Sequence, residues 1–225
     1  MNACAYYKMQ PNAIFKKINS SDNNFFCVVE GIKFKVFPHV YPSHQFRTTK
    51  FVLKNIKKLI KGKKVCDMGC GPGIVGLYSV INGASSVIQA DINKYAYENA
   101  KANNLLNNFE KNKIQTYLSN CFDNIPKQIF EVIIFNMPFH NDLIKIKDPL
   151  QYAFYDPNFK SIKKFLNQAK NYSNSETKII IAFSNKGDCF LLEKLFDSFS
   201  YKWKLWRKIN KDKEYDNRIY ILQKK

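Results

Sequence analysis

Near the start of the chain an apolar run over residues 25–30 and an apolar–polar alternation over 32–37 stand on either side of Gly31. Two such strand patterns around a glycine predict a β-hairpin. A loop with Pro38 and Pro42 follows, and the period then lengthens. Phe51, Val52, Ile56, Leu59 and Ile60 recur at helical spacing, with Thr48 or Thr49 placed to cap the helix they belong to. Beyond Gly62 the patterns of strand and helix take turns. Strands are expected at 64–68, 86–90, 114–118, 130–135 and 178–183, and helices at 74–82, 94–106, 161–172 and 188–199. Two further strands, 202–209 and 218–223, enclose a polar loop. Such alternation predicts an α/β fold: a doubly wound, mostly parallel seven-stranded sheet, helices on both faces, and an antiparallel edge strand. Residues 1–45, irregular over 1–22, form an N-terminal extension carrying the hairpin, and residues 46–225 form the main domain.

Composition changes this picture in one respect. The chain has 225 residues, enough for one domain with its own core, and a formal net charge of +18. That excludes an acidic solvating chain and raises nucleic acid, anionic membrane surfaces and acidic proteins as partners. Only Arg47, Arg207 and Arg218 among the 36 basic residues are arginine, and asparagine occurs 25 times. Lys, Asn, Ile, Phe and Tyr rise together in AT-rich coding, so part of the charge is compositional. Its distribution is more telling: residues 1–66 carry 13 basic and two acidic side chains, net +11, against +7 for the rest. Lys50, Lys54, Lys57, Lys58, Lys61, Lys63 and Lys64 gather around the first predicted helix. They read either as a phosphate-tracking patch or as an ordinary solvated helix face.

No apolar run reaches the ~18 residues of a membrane span. The first residues lack the apolar core and small-residue cleavage site of a secretory signal. The six cysteines form no C-x-x-C pair and only three histidines are present, so no metal site is expected. Reduced thiols and a cytoplasmic location are the reading.

Four of the eight glycines fall in Gly69-Cys-Gly71-Pro-Gly73-Ile-Val-Gly76, between a predicted strand and a predicted helix. Glycine there permits positive φ and close approach of a ligand to the backbone. The spacing from Gly71 to Gly76 formally fits a dinucleotide fingerprint and a nicotinamide oxidoreductase. Asp67, two residues ahead of Gly69, opposes that reading. A carboxylate facing a pyrophosphate is a like-charge conflict, whereas it suits a ligand with an ammonium group.

Val65-Cys-Asp67-Met-Gly69-Cys-Gly71-Pro-Gly73 resembles the first motif of class I S-adenosylmethionine-dependent methyltransferases, which have a Rossmann-like fold. The resemblance covers about residues 36–225. It implies S-adenosylmethionine as cofactor, with Gly69, Cys70, Gly71 and Gly73 along its methionine part and Asp67 on its ammonium. It places Asp91 on the ribose hydroxyls, a role compatible with capping the helix that follows, Ile92 against the adenine face and Asn120 near the adenine amine.

Asn136-Met137-Pro138-Phe139-His140, at the end of a strongly apolar strand, resembles the N-P-P-F/Y motif of methyltransferases that alkylate planar nitrogens. Members act on exocyclic amines of nucleic-acid bases or on protein glutamine. The lone pair of such a nitrogen is delocalised. Accepting both its N–H bonds, on the Asn136 side-chain oxygen and the Met137 carbonyl, fixes and activates it. Phe139 is the stacking ring. Met137 departs from the family's proline, keeping the carbonyl but losing the stiff φ. His140 echoes a subset of ribosomal RNA guanine methyltransferases. Tyr41, His44 and Thr49 belong to an upstream segment that closes over the cofactor in several such families.

The resulting expectation is N-methylation of a planar amine or amide in RNA, DNA or a protein glutamine. A small-metabolite methyltransferase and a non-catalytic adaptor on the same fold are the alternatives.

Overall fold

A computed structural model describes residues 25–43, 46–212 and 215–225; the readings for residues 1–22 and for His44 lie outside the described residues. The expected hairpin is β1 (Phe25–Val29) and β2 (Ile32–Val36), antiparallel. Its two turn residues, Glu30 and Gly31, both take positive φ, 51° and 79°. Two-residue hairpin loops favour that conformation because its twist matches the strands.

The rest is one layered unit. In chain order come α1 (Arg47–Ile60), β3 (Lys64–Met68), α2 (Ile74–Ile81), β4 (Ser86–Asp91), α3 (Lys94–Leu106), β5 (Ile114–Leu118), β6 (Val132–Asn136), α4 (Lys160–Ala169), β7 (Lys178–Ser184), α5 (Cys189–Ser198), β8 (Tyr201–Asp212) and β9 (Tyr215–Lys224). Their order across the sheet is β5-β4-β3-β6-β7-β9-β8. The first five positions are parallel, and β9 runs antiparallel to both β7 and β8. The chain leaves β3 toward β4 on one side and later fills β6 on the other. A crevice therefore opens at the carboxyl ends of these strands, where side chains from separate connections converge.

Burial explains the layering. In β6, Val132 and Ile134 join the core beneath α1 and α2, while Ile133 and Phe135 join the core beneath α4 and α5. A strand covered on both faces has no polar side to show, hence its unbroken apolar run.

Several boundaries differ from the sequence reading. The 130–135 strand is observed as β6, which starts at Val132 and ends on Asn136. β8 and β9 extend into the polar stretch expected as a loop, through pairs such as Asn210↔Asp216 and Asp212↔Tyr215. Cross-strand charge supports this: Lys208 lies 3.0 Å from Asp216. Thr48 and Thr49 are not caps. The N-cap position of α1 is Phe46, which offers no side-chain bond, and both threonines are buried inside the first turn. Asp91 is not a cap either, since Asn93 caps α3 by accepting from the Tyr95 N–H.

The hairpin is docked by asparagines. Val29, Ile32, Phe34 and Val36 join the apolar core of the sheet. The outer edge of β2 is met by α3: Asn103 Oδ1 accepts from Lys35 N–H at 2.7 Å and Asn99 Oδ1 from Phe37 N–H at 2.9 Å. Their amide nitrogens, and that of Asn107, donate back to Lys35 and Lys33 carbonyls. Three residues at i, i+4 and i+8 on one helix face thus satisfy a strand edge.

Candidate active site

The strand-to-helix turn after β3 is the floor of the site. Gly69, Gly71 and Gly73 have φ of 65°, 55° and 89°. They differ in surroundings. A Cβ on Gly71 would meet nothing within 4 Å, so this residue faces open space. A Cβ on Gly73 or Gly76 would run into the amide of Gln89, which is fully buried in β4 and donates to the Gly73 carbonyl at 2.9 Å. Gly73 and Gly76 therefore let helix and sheet approach, and Gly73 does not line the cleft.

Two carboxylates organise the turn. Asp67, 2% exposed, accepts from the Gly76 N–H at 2.9 Å. Burial pushes its carboxyl up to about 8; the Gly76 N–H pulls downward and nearby Asp91 pushes upward. Asp91, at the end of β4, accepts from the Gly71 N–H at 2.9 Å and the Asn93 N–H at 2.8 Å. Each of its oxygens thus meets one backbone donor and keeps lone-pair capacity toward the cleft. Burial also raises its carboxyl, against those backbone bonds.

At the end of β6 stands Asn136. Its Nδ2 donates to Thr49 Oγ1 at 3.5 Å, while its Oδ1 is buried and has no hydrogen-bond partner among the described residues. An orphaned buried acceptor costs about 1–3 kcal/mol. Here it borders a cleft. Met137 turns its side chain into the core, and Phe139 stands edge-on to Phe183 with ring centres 5.5 Å apart. His140 is held by its backbone, donating to the Phe154 carbonyl and accepting from the Asp156 N–H. Burial lowers the basicity of its ring.

The cleft opens to solvent at its mouth. It brings together Tyr41, Thr49, Asp67, Gly69, Cys70, Gly71, Asp91, Ile92, Asn120 and the 136–140 segment. Burial pushes the Cys70 thiol up, so it presents no thiolate. Among the described residues, no group of His, Cys, Asp and Glu could hold a metal ion. Among the described residues no helix is long and apolar enough to cross a membrane. Of the lysines around α1, Lys63 is engaged by Glu131 at 2.7 Å.

Sequence reasoning missed part of this wall. Ser43, Thr48, Ser119, Ser184, Lys186 and Asn217 also line it, as does the strap around Pro149 and Phe154. Ser184 and Asn217 come from paired positions on β7 and β9. Nothing local in the sequence brings them to the glycine turn. Gly187 carried a signal that went unread: a Cβ there would collide with the Phe139 carbonyl, so this glycine seats the 136–140 segment.

The profile of the family described as "Methyltransferase small domain" matches residues 31–204. A Methanocaldococcus jannaschii protein, provisionally named a protein N5-glutamine methyltransferase, is 35% identical over 128 residues, covering 56% of this chain and 61% of its own. A Vibrio vulnificus protein named ribosomal RNA small subunit methyltransferase C is 26% identical over 183 residues, covering 79% of this chain and 49% of its own. The chain thus spans about half to three fifths of the length of these curated relatives. Among solved structures, the T. thermophilus 16S rRNA N2 G1207 methyltransferase, in complex with AdoMet and guanosine, superposes with a TM-score of 0.65 at 16% identity. That match covers 89% of this chain and 50% of the other. The ribosomal protein L11 methylase of Lactobacillus delbrueckii subsp. bulgaricus gives 0.63 at 18% identity, over 85% and 86%.

Proposed function

The chain belongs to the methyltransferase small domain family, and from that premise we propose that it transfers a methyl group from S-adenosylmethionine to a planar amine or amide nitrogen. The residues present fit that cofactor. The open face of Gly71, the free lone pairs of Asp91 and the buried carboxyl of Asp67 offer a place for backbone contact, for a diol and for an ammonium respectively. Ile92 and Asn120 supply an apolar surface and a polar edge beside Asp91. When bound, S-adenosylmethionine supplies a methyl group on a positively charged sulfur.

The observation that carries the reading is the orphaned Oδ1 of Asn136. A buried carbonyl oxygen at the end of the central strands is held ready for an N–H donor. Together with the Met137 carbonyl it accepts the two hydrogens of the target nitrogen and turns that nitrogen's lone pair toward the methyl. Pro138 fixes the backbone that follows, and Phe139 presents its ring to a flat acceptor. No strong base is needed, because the product proton leaves to water after transfer. Residues 46–225 carry this chemistry and residues 1–45 extend it. The relatives named for glutamine and for ribosomal RNA support a planar nitrogen as target class.

Labelled S-adenosylmethionine incubated with separate RNA, protein and metabolite fractions identifies the acceptor. With that acceptor, Asn136→Ala abolishes turnover while leaving S-adenosylmethionine affinity within about threefold. Near-normal kcat in Asn136→Ala sinks the assignment.

A further inference from the structure

The tandem threonines at the head of α1 are buried, cap nothing, and each holds a different asparagine. Thr48 Oγ1 donates to Asn217 Oδ1 at 3.1 Å. Thr49 Oγ1 accepts from Asn136 Nδ2 at 3.5 Å. The two bonds have opposite sense. With its oxygen engaged, Asn217 has its Nδ2 left to offer; with its nitrogen engaged, Asn136 offers its oxygen. Both residues line the same cleft. The site therefore carries one fixed acceptor and one fixed donor.

We infer that Asn217 is a specificity-determining residue that donates a hydrogen bond to a lone-pair atom of the methyl acceptor, across the molecule from the nitrogen held by Asn136. This rests on the methyl-transfer reading of the site. The sheet sets the span between the two backbones from which these amides reach into the cleft. Asn136 on β6 pairs with Ala182 of β7, and Asn217 on β9 pairs with Ser184, two residues further along β7. Two strand spacings separate the backbones by about 10 Å, and the two-residue offset adds about 7 Å along the strand. A carboxamide carries its oxygen and nitrogen on a single carbon and does not bridge such a gap. A flat bicyclic heteroaromatic amine, with an exocyclic NH2 at one end and a ring nitrogen or carbonyl at the other, does. The acceptor this geometry selects is a purine base rather than a glutamine side chain.

Asn217 is also held in place from behind. Its neighbour Asp216 takes Arg218 at 2.8 Å and Lys208 at 3.0 Å, and the Asp216 carbonyl accepts from Ser184 Oγ at 2.8 Å. Arg218 is one of three arginines in a lysine-dominated chain. A fork that grips a carboxylate from two nitrogens fixes the strand as a lysine does not.

The test is calorimetric titration of guanosine, adenosine and N-acetylglutamine amide into the protein saturated with S-adenosylhomocysteine. One purine nucleoside binds more tightly than the glutamine amide. Asn217→Ala weakens that nucleoside about tenfold, and leaves S-adenosylhomocysteine affinity unchanged, which reports an intact fold. Asn217→Asp, still within reach of the Thr48 hydroxyl but lacking the donor, loses as much. Thr48→Val frees the amide to rotate and weakens the nucleoside, and Thr48→Ser restores it. The inference is overturned if no purine nucleoside binds, if the glutamine amide binds more tightly, or if Asn217→Ala leaves nucleoside binding unchanged. Those results leave methyl transfer itself standing, whereas retained turnover in Asn136→Ala removes both.

Discussion

Asp67→Asn probes the floor of the cleft through its titration. The carboxyl is buried to 2% exposure and titrates near 8 instead of its ordinary 3.8. Its desolvation outweighs the one hydrogen bond it accepts from Gly76. Between about pH 4 and pH 8 the folded protein keeps a proton that the unfolded chain has already released. Stability from this group therefore falls as pH rises through that window and levels off above it. At about 1.4 kcal/mol per tenfold change, the fall from pH 5 to pH 8 is about 4 kcal/mol. Asparagine preserves an oxygen for the Gly76 N–H and has no proton to lose. Urea denaturation of both proteins at pH 5, 6.5 and 8 isolates the effect, because every other titration is shared. The variant gains about 4 kcal/mol on the wild type across that interval. Parallel stability curves refute the reasoning. A cationic ligand reverses the preference: S-adenosylmethionine, through its ammonium, favours the ionised carboxylate. Binding to the wild type near pH 7 then releases a proton, seen as a buffer-dependent heat, and binding to Asp67→Asn does not.

The glycines separate folding from binding. Gly71→Ala puts a side chain at φ of 55° but into open space. It costs about 1–2 kcal/mol by thermal melting, while S-adenosylmethionine affinity falls at least tenfold. Gly76→Ala drives a methyl into Gln89 and destabilises the fold by about 1–3 kcal/mol or more. Asn103→Ala strands the Lys35 N–H and loses its amide's bonds to the Lys35 and Pro72 carbonyls. Its cost is about 2–4 kcal/mol in chemical denaturation, with faster amide exchange at Lys35 than in the wild type.

What was legible in the sequence is what a strand and the turn after it specify locally. Gly69 to Gly76 follow β3 directly, Asp91 ends the next strand, and Asn136 ends an apolar run that only a doubly covered strand explains. What was not legible depends on sheet order. Ser184 and Asn217 reach the cleft because β7 and β9 are neighbours, a fact with no local trace. Thr48 and Thr49 could be read either as helix caps or as part of the segment over the site; their type and position suit caps, but their hydroxyls are taken by Asn217 and Asn136. The long β8–β9 hairpin was underestimated because the residues that extend it, Asn210, Asp212, Asp216 and Asn217 among them, are polar and show no apolar period. Asn99, Asn103 and Asn107 were absorbed into composition. They are mediocre helix formers, and their position along α3 and at its C-cap makes sense only once β2 lies against it.

That docking has a consequence for the order of assembly. The bonds from α3 to β2 span 62 to 74 residues, so their loop-closure entropy is large compared with that of the hairpin turn. The hairpin can zip on its own, yet its edge finds partners only after the helix has formed. Asn103 then bonds Lys35 and Pro72 together. Docking the hairpin and fastening the glycine turn thus share one side chain.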